Sequence, residues 1–280
     1  MTLGRLIARV YREMKRDNAF DGAAVLAYYL TLAIFPAMIA LLAVTPYLPI
    51  ARVDQAIMDL MREALPTSAA DMFAGVVQQV TSERRGGLLT LGVAAAYWSA
   101  SNGMYAVMRQ LNAAFNVQEA RPFVRARATA LLLSLLFGVL VLGGFSLIVL
   151  GGVIQAWIGD RFGFSALLLG FFVVFRWVVI VLSLMLAISL IYYLAPNRAH
   201  PFRLVTAGSV AATMLLVVAS YVFSLYTSHF GNYSNVYGSI GAMVLLMLWL
   251  YIAGLVILAG AEVDEVLEQG PYPVDRRPPP

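Results

Sequence analysis

The sequence predicts an all-α integral membrane protein: a six-transmembrane-helix bundle with an extracytoplasmic helical hairpin between spans 1 and 2. Three observations carry that expectation. Hydrophobic residues make up 61% of the chain and charged residues 12%, a balance that a soluble domain of 280 residues could not bury. The apolar residues fall into six long stretches rather than being spread through the chain. The last of them, Gly238 to Glu262, is uncharged for 24 residues and then ends in Glu262, Asp264 and Glu265. At 1.5 Å per residue it is long enough to cross about 30 Å of hydrocarbon.

Residues 1–22 form a cytoplasmic N-terminal segment. Arg5, Arg9, Arg12, Lys15 and Arg16 alternate with Leu3, Leu6, Ile7, Val10 and Met14 at helical spacing, which predicts an amphipathic helix on the membrane surface or a charged flank that sets orientation. The first apolar run is too long for a signal peptide and no A-x-A site follows it, so it reads as a retained span. The absence of cysteine removes disulfide, thiolate and Cys-ligated metal chemistry from consideration.

Residues 23–268 are expected to form a single membrane domain, with spans at about 25–48, 88–107, 128–154, 173–194, 204–226 and 240–261. Pro36 lies within span 1, where proline removes a backbone hydrogen bond and marks a hinge or kink. Residues 51–87 are the longest polar segment. Two apolar stripes, with Pro66 between them and Ser68 and Asp71 spaced as a capping box, predict the hairpin. In span 2, Gly92, Ala96, Ser99 and Gly103 form a strip of small residues that lets helices approach in lipid. Asn102 in that span suits an interhelical hydrogen bond or a substrate contact, and Asn112 follows in the basic turn.

Residues 160–194 would reach about 52 Å as one helix, so the expected span starts near Val173, with 164–172 bent or interfacial. Arg176 then either snorkels at the outer boundary or faces a cavity. The loop from Ser228 to Tyr237 is uncharged. With the start of span 6 it offers Asn232, Ser234, Tyr237 and Ser239 as candidate contacts for a headgroup or anion, against ordinary capping as the simpler role. Glu262 and Glu265 are three apart and could share a face, as in a solvated acidic flank, the simpler role, or a metal or proton site. The Pro-rich segment 269–280 is expected to be disordered.

Six spans place both termini on one side. Arg52, Arg62, Arg84, Arg85 and Arg161 fall on the other, Arg176 lies within a span, and the remaining thirteen of the nineteen Lys and Arg lie on the terminal side. The positive-inside rule makes that side cytoplasmic. His200 and His229 fall on opposite sides and cannot share a metal. No H-E-x-x-H, G-x-S-x-G or P-loop occurs, so no catalytic residue, metal ligand or cofactor is assigned. Membrane lipids are the expected partners, with an envelope protein as a further one. The basic loops lack a nucleic-acid module, so no nucleic-acid partner is expected.

Four stretches carry a family resemblance: LAYYLTLAIFPAMIALL (Leu26 to Leu42), YWSASNGMYAVMRQLNAAFNV (Tyr97 to Val117), YLAPNR (Tyr193 to Arg198) and YGSIGAMVLLMLWLYIAGLVILAGAEVDEVL (Tyr237 to Leu267). On these the chain resembles the YihY/BrkB family of bacterial inner-membrane proteins, formerly misassigned as ribonuclease BN. The resemblance implies a six-helix inner-membrane bundle and carries no catalytic residues with it. Two functions follow as expectations. One is a transporter or lipid-handling protein of unknown substrate, with Asn102, Asn112, Arg176 and Glu262 as polar residues of its pathway. The other is a non-transporting envelope scaffold that docks through the hairpin and the basic loops.

Overall fold

The structure, a computed structural model, describes residues 2–44, 86–140, 166–198, 203, 205–229 and 233–269. Within them the helices are α1 (Leu3–Arg16), α2 (Ala19–Val44), α3 (Gly86–Ala114), α4 (Phe123–Leu140), α5 (Ala166–Leu194), α6 (Ala207–His229) and α7 (Tyr233–Gln269). No strand occurs among the described residues. Among the described residues, four helical segments are long and apolar enough to cross a membrane: Phe123–Leu140, Gly170–Leu194, Ala207–Thr227 and Met243–Gln269. The expected hairpin at 51–87 and the tail beyond Gln269 lie outside the described residues.

The helices contribute to two compact units. One comprises Asn18–Val107 and Leu216–Val256. Here α2 presents Ala19, Ala23 and Ala27, three buried small residues at four-residue spacing. In lipid the hydrophobic effect does not drive helices together, so close backbone approach along such strips supplies the packing energy. A Cβ on Gly254 of α7 would touch Ala23 and Leu26, and one on Gly103 of α3 would touch Leu30 and Tyr29. Of the small-residue strip expected in span 2, Gly103 is therefore an observed helix contact. The Ala19/Ala23/Ala27 strip begins N-terminal to the expected start of span 1 and runs into it.

The other unit comprises Met1–Asp17, Met108–Leu215 and Ile257–Pro280. Its core includes Met108, Leu111, Ala130, Leu133, Ile188, Tyr192, Leu258 and Val266, all nearly or fully buried. The outward faces are apolar as well: Phe171, Phe175 and Trp177 on α5 and Leu132, Leu135 and Val139 on α4 are exposed. Apolar side chains on both faces are what a helix surrounded partly by lipid requires. Helix α5 runs unbroken from Ala166, so residues 166–172, expected to bend or lie along the interface, continue the helix.

Among the described residues, two asparagines at helix ends lie in the left-handed region. Asn18, with φ 53°, separates α1 from α2, and Asn116, with φ 51°, follows α3. At the second, the Val117 N–H donates to the Asn112 carbonyl and the Asn116 N–H to the Ala113 carbonyl, both at 2.9 Å. This is a Schellman closure, with asparagine where glycine is commonest.

Candidate functional site

The polar residues of the second unit gather where α3 and α5 end, α6 begins and α7 ends. The Schellman closure of α3 turns the chain into the loop carrying Glu119 and Arg121. Asn112, 4% exposed, holds that loop to the one after α5. Its Nδ2 donates to Glu119 Oε2 at 2.9 Å, and its Oδ1 accepts the Asn197 N–H at 2.8 Å. Arg121 forks onto Glu119, with Nε 2.7 Å from Oε1 and Nη2 2.8 Å from Oε2, and its Nη2 also donates to the Ala195 carbonyl at 2.6 Å. A guanidinium thus sits at the C-terminus of α5, the negative end of the helix dipole. Partial burial favours the neutral form of Glu119. The Arg121 side chain and backbone N–H and the Asn112 amide outweigh it, holding the carboxyl below its ordinary range.

Arg198 follows in the same loop. Its guanidinium lies 3.9 Å from the centre of the Phe115 ring, and its Nη1 is 3.3 Å from Glu265 and 2.9 Å from Glu268. Phe115 in turn meets Tyr192 edge-on, and the Tyr192 hydroxyl donates to the Ile257 carbonyl of α7. Glu265 also accepts from Gln269 Nε2 at 2.8 Å, and Gln269 Oε1 accepts from Arg9 of α1 at 2.8 Å. Helix α1 therefore packs Arg9, Val10 and Met14 inward, while Leu3 and Ile7 remain exposed. The amphipathic helix expected from the sequence directs one face at protein rather than only at lipid.

The start of α6 is capped twice. Thr206 and Ser209 exchange hydrogen bonds at 3.0 Å, each hydroxyl accepting the other's backbone N–H. This is a capping box with serine in the position usually held by glutamate. Asp264 adds a second cap from another helix, taking the Gly208 N–H on Oδ1 and the Thr206 hydroxyl on Oδ2, both at 2.6 Å. The approach is close because Gly208 faces Gly260. A Cβ on either glycine would collide with the other's carbonyl oxygen.

Beside this cap is a cavity of about 270 Å³ lined by Ser189, Tyr193, Arg198, Arg203, Thr206, Asp264 and Glu268. It joins two guanidinium groups, two carboxylates and three hydroxyls.

Glu262 lies one turn back along α7. It is 0% exposed, and neither carboxylate oxygen has a hydrogen-bond partner among the described residues. Asp264 and Glu265 are also buried, at 7% and 2% exposure. The acidic end of the last apolar stretch is thus not a solvated flank. It is folded under α1, the loop after α5 and the start of α6.

Of the residues singled out from sequence, Asn112 and Glu262 come together in this polar end. Asn102 is partly buried and belongs to the other unit. Arg176 is partly buried, with Nε lacking a partner among the described residues, eighteen residues and about 27 Å along α5 from Leu194. Pro36 lies within α2, and Ser234, Tyr237 and Ser239 within α7, but their side chains, like all of Asn232, lie outside the described residues. Sequence reasoning missed Glu119, Arg121, Asn197, Arg198, Thr206 and Asp264. The available signal was that polar residues cluster at the ends of apolar runs, several of them inside the family-like stretches.

A family model described as Virulence factor BrkB matches residues 10–279. The chain is 38% identical to YfkH of Bacillus subtilis (strain 168), whose name describes it as ribonuclease-like; the match covers 91% of this chain and 92% of YfkH. It is 28% identical to a UPF0761 membrane protein of Alkalilimnicola ehrlichii, over 92% of this chain and 57% of that one. A UPF0761 membrane protein of Halorhodospira halophila is 30% identical, over 91% of this chain and 55% of that one. The chain therefore spans little more than half the length of these two relatives. No solved structure matches it. With apolar helices of spanning length and a family match over nearly its whole length, the chain belongs to the BrkB family of membrane proteins.

Proposed function

We propose that this protein is a transporter, not an enzyme, and that it handles small zwitterions bearing an ammonium and a phosphate, free or as a phospholipid headgroup. The observation that carries the proposal is the cavity at the polar end of the helices. Arg198 and Arg203 supply cationic contacts for a phosphate, and Asp264 and Glu268 supply anionic contacts for an ammonium. At about 270 Å³ the cavity suits a headgroup-sized molecule rather than a whole lipid. The Lys and Arg distribution supports placing this end at the cytoplasmic face of the inner membrane.

The test uses purified protein in proteoliposomes. One arm follows transfer of acyl-labelled phosphatidylethanolamine between leaflets, and the other follows flux of radiolabelled phosphoethanolamine. Activity above protein-free vesicles in one arm, reduced at least about tenfold in Arg203→Ala, supports the proposal and identifies the source. Background rates in both arms would overturn it.

A further inference from the structure

Glu262 raises a question that the cavity does not answer. Its carboxylate is fully buried, and neither oxygen has a hydrogen-bond partner among the described residues. The groups acting on it most strongly are all carboxyls: Asp17, which follows α1 and is close enough to share a proton with it, Glu13 from α1, and Glu265 from its own helix. Two of these have cations of their own. Arg16 lies 3.5 Å from Glu13, and Arg198 lies 3.3 Å from Glu265. Each of those cations pairs with its own carboxylate.

An ionised carboxyl buried with no hydrogen-bond donor on either oxygen carries a large desolvation cost, and the neighbouring carboxyls, Asp17 above all, add to it. A proton or a metal cation would remove that cost. A cation needs several oxygens converging on one point. Among the described residues no three acidic or histidine side chains are placed to hold one ion. A proton needs only one oxygen.

We propose that Glu262 is a proton-binding site whose occupancy holds α1 against the end of α7. With the proton bound, α1 can bring Glu13 and Asp17 up to a neutral side chain, and Arg9 can reach Gln269 at 2.8 Å. With the proton gone, the carboxyls of Glu13 and Asp17 face those of Glu262 and Glu265 as like charges, and the contact opens. The proposal goes beyond the transport reading and does not depend on it, because it concerns the protein without substrate.

Two measurements on purified full-length protein test it. The first is infrared difference spectroscopy of the protonated carboxyl C=O band. The wild type should show the band at neutral pH and lose it at alkaline pH. Glu262→Gln should lack that component, and Glu262→Asp should shift it. The second uses spin labels at Ile7→Cys and Val124→Cys, exposed positions on α1 and α4 in a chain without native cysteine. The label separation should lengthen as the wild type is made alkaline and stay short in Glu262→Gln, whose amide is neutral at every pH. A wild type without the band at neutral pH would overturn the proposal whether or not the variants fold. So would loss of the band on adding sodium at constant pH, which would make this a cation site. An invariant label separation in the wild type would remove the role in docking α1. Lack of flux in the vesicle assay would leave both spectroscopic results standing.

Discussion

Asp264 reaches back 56 positions along the chain to accept the Gly208 N–H at 2.6 Å, so the end of α7 caps the start of α6. The carboxylate occupies the position where unpaired N–H groups and the positive end of the helix dipole favour an anion. Thr206 and Ser209 cap the same turn locally. One helix start is therefore held both by its own sequence and by a partner that only folding can bring there.

Asp264→Ala should cost about 1–2 kcal/mol, the range for losing a helix N-cap. Asp264→Asn, which keeps an acceptor for Gly208 but loses the charge, should cost less. Thermal unfolding in detergent measures both. Equal stability of all three proteins would show that the Thr206–Ser209 box caps the helix by itself.

The glycine contact gives a sharper contrast. Gly208→Ala and Gly260→Ala should each destabilise by about 1–3 kcal/mol, because the added methyl meets backbone atoms that cannot move aside. Gly138→Ala and Gly170→Ala place a methyl where nothing lies within 4 Å. Those two should be neutral or stabilising by up to about 1 kcal/mol from helix propensity. Yield of monodisperse protein and thermal midpoint rank the four variants. A similar effect from all of them would refute the close approach.

Arg198→Ala should cost about 3 kcal/mol, since it strands the buried Glu265 carboxylate and uncovers the Phe115 ring. Arg198→Lys should recover part of the loss but not all of it, because an ammonium can bridge the two carboxylates but cannot also lay a planar cation on the Phe115 ring. A double-mutant cycle with Glu265→Gln isolates the pair. A coupling energy near zero would reduce it to an incidental contact.

Glu119 predicts a pH dependence with a definite sign. Its folded-state pKa lies below its unfolded value. Its contribution is therefore complete above the unfolded pKa of about 4.3 and is lost as pH falls through the lower folded value. The stability gap between wild type and Glu119→Gln should be constant near pH 6 and close towards about pH 3. In an Arg121→Ala background the gap should shrink at all pH values. A gap that widens on acidification would reverse the assignment.

The apolar stretches determine that this is a helical membrane protein, because hydrophobicity over some twenty consecutive residues is a local property that needs no fold to be read. The local signals for Asn116 closing α3 and Thr206 opening α6 are also in the sequence, since caps involve neighbours within one turn. The fate of the charges was not legible in the same way. Glu262, Asp264 and Glu265 have the composition of a solvated helix end, and a one-dimensional pattern cannot distinguish that from an acidic end covered by other segments. Only the tertiary structure brings Arg198 to Glu265 from 67 positions away and Asp264 to Gly208 from 56. Only it leaves Glu262 buried beside the carboxyls of Glu13 and Asp17. Burial and charge pairing depend on what is adjacent in space, and that is decided when the helices pack.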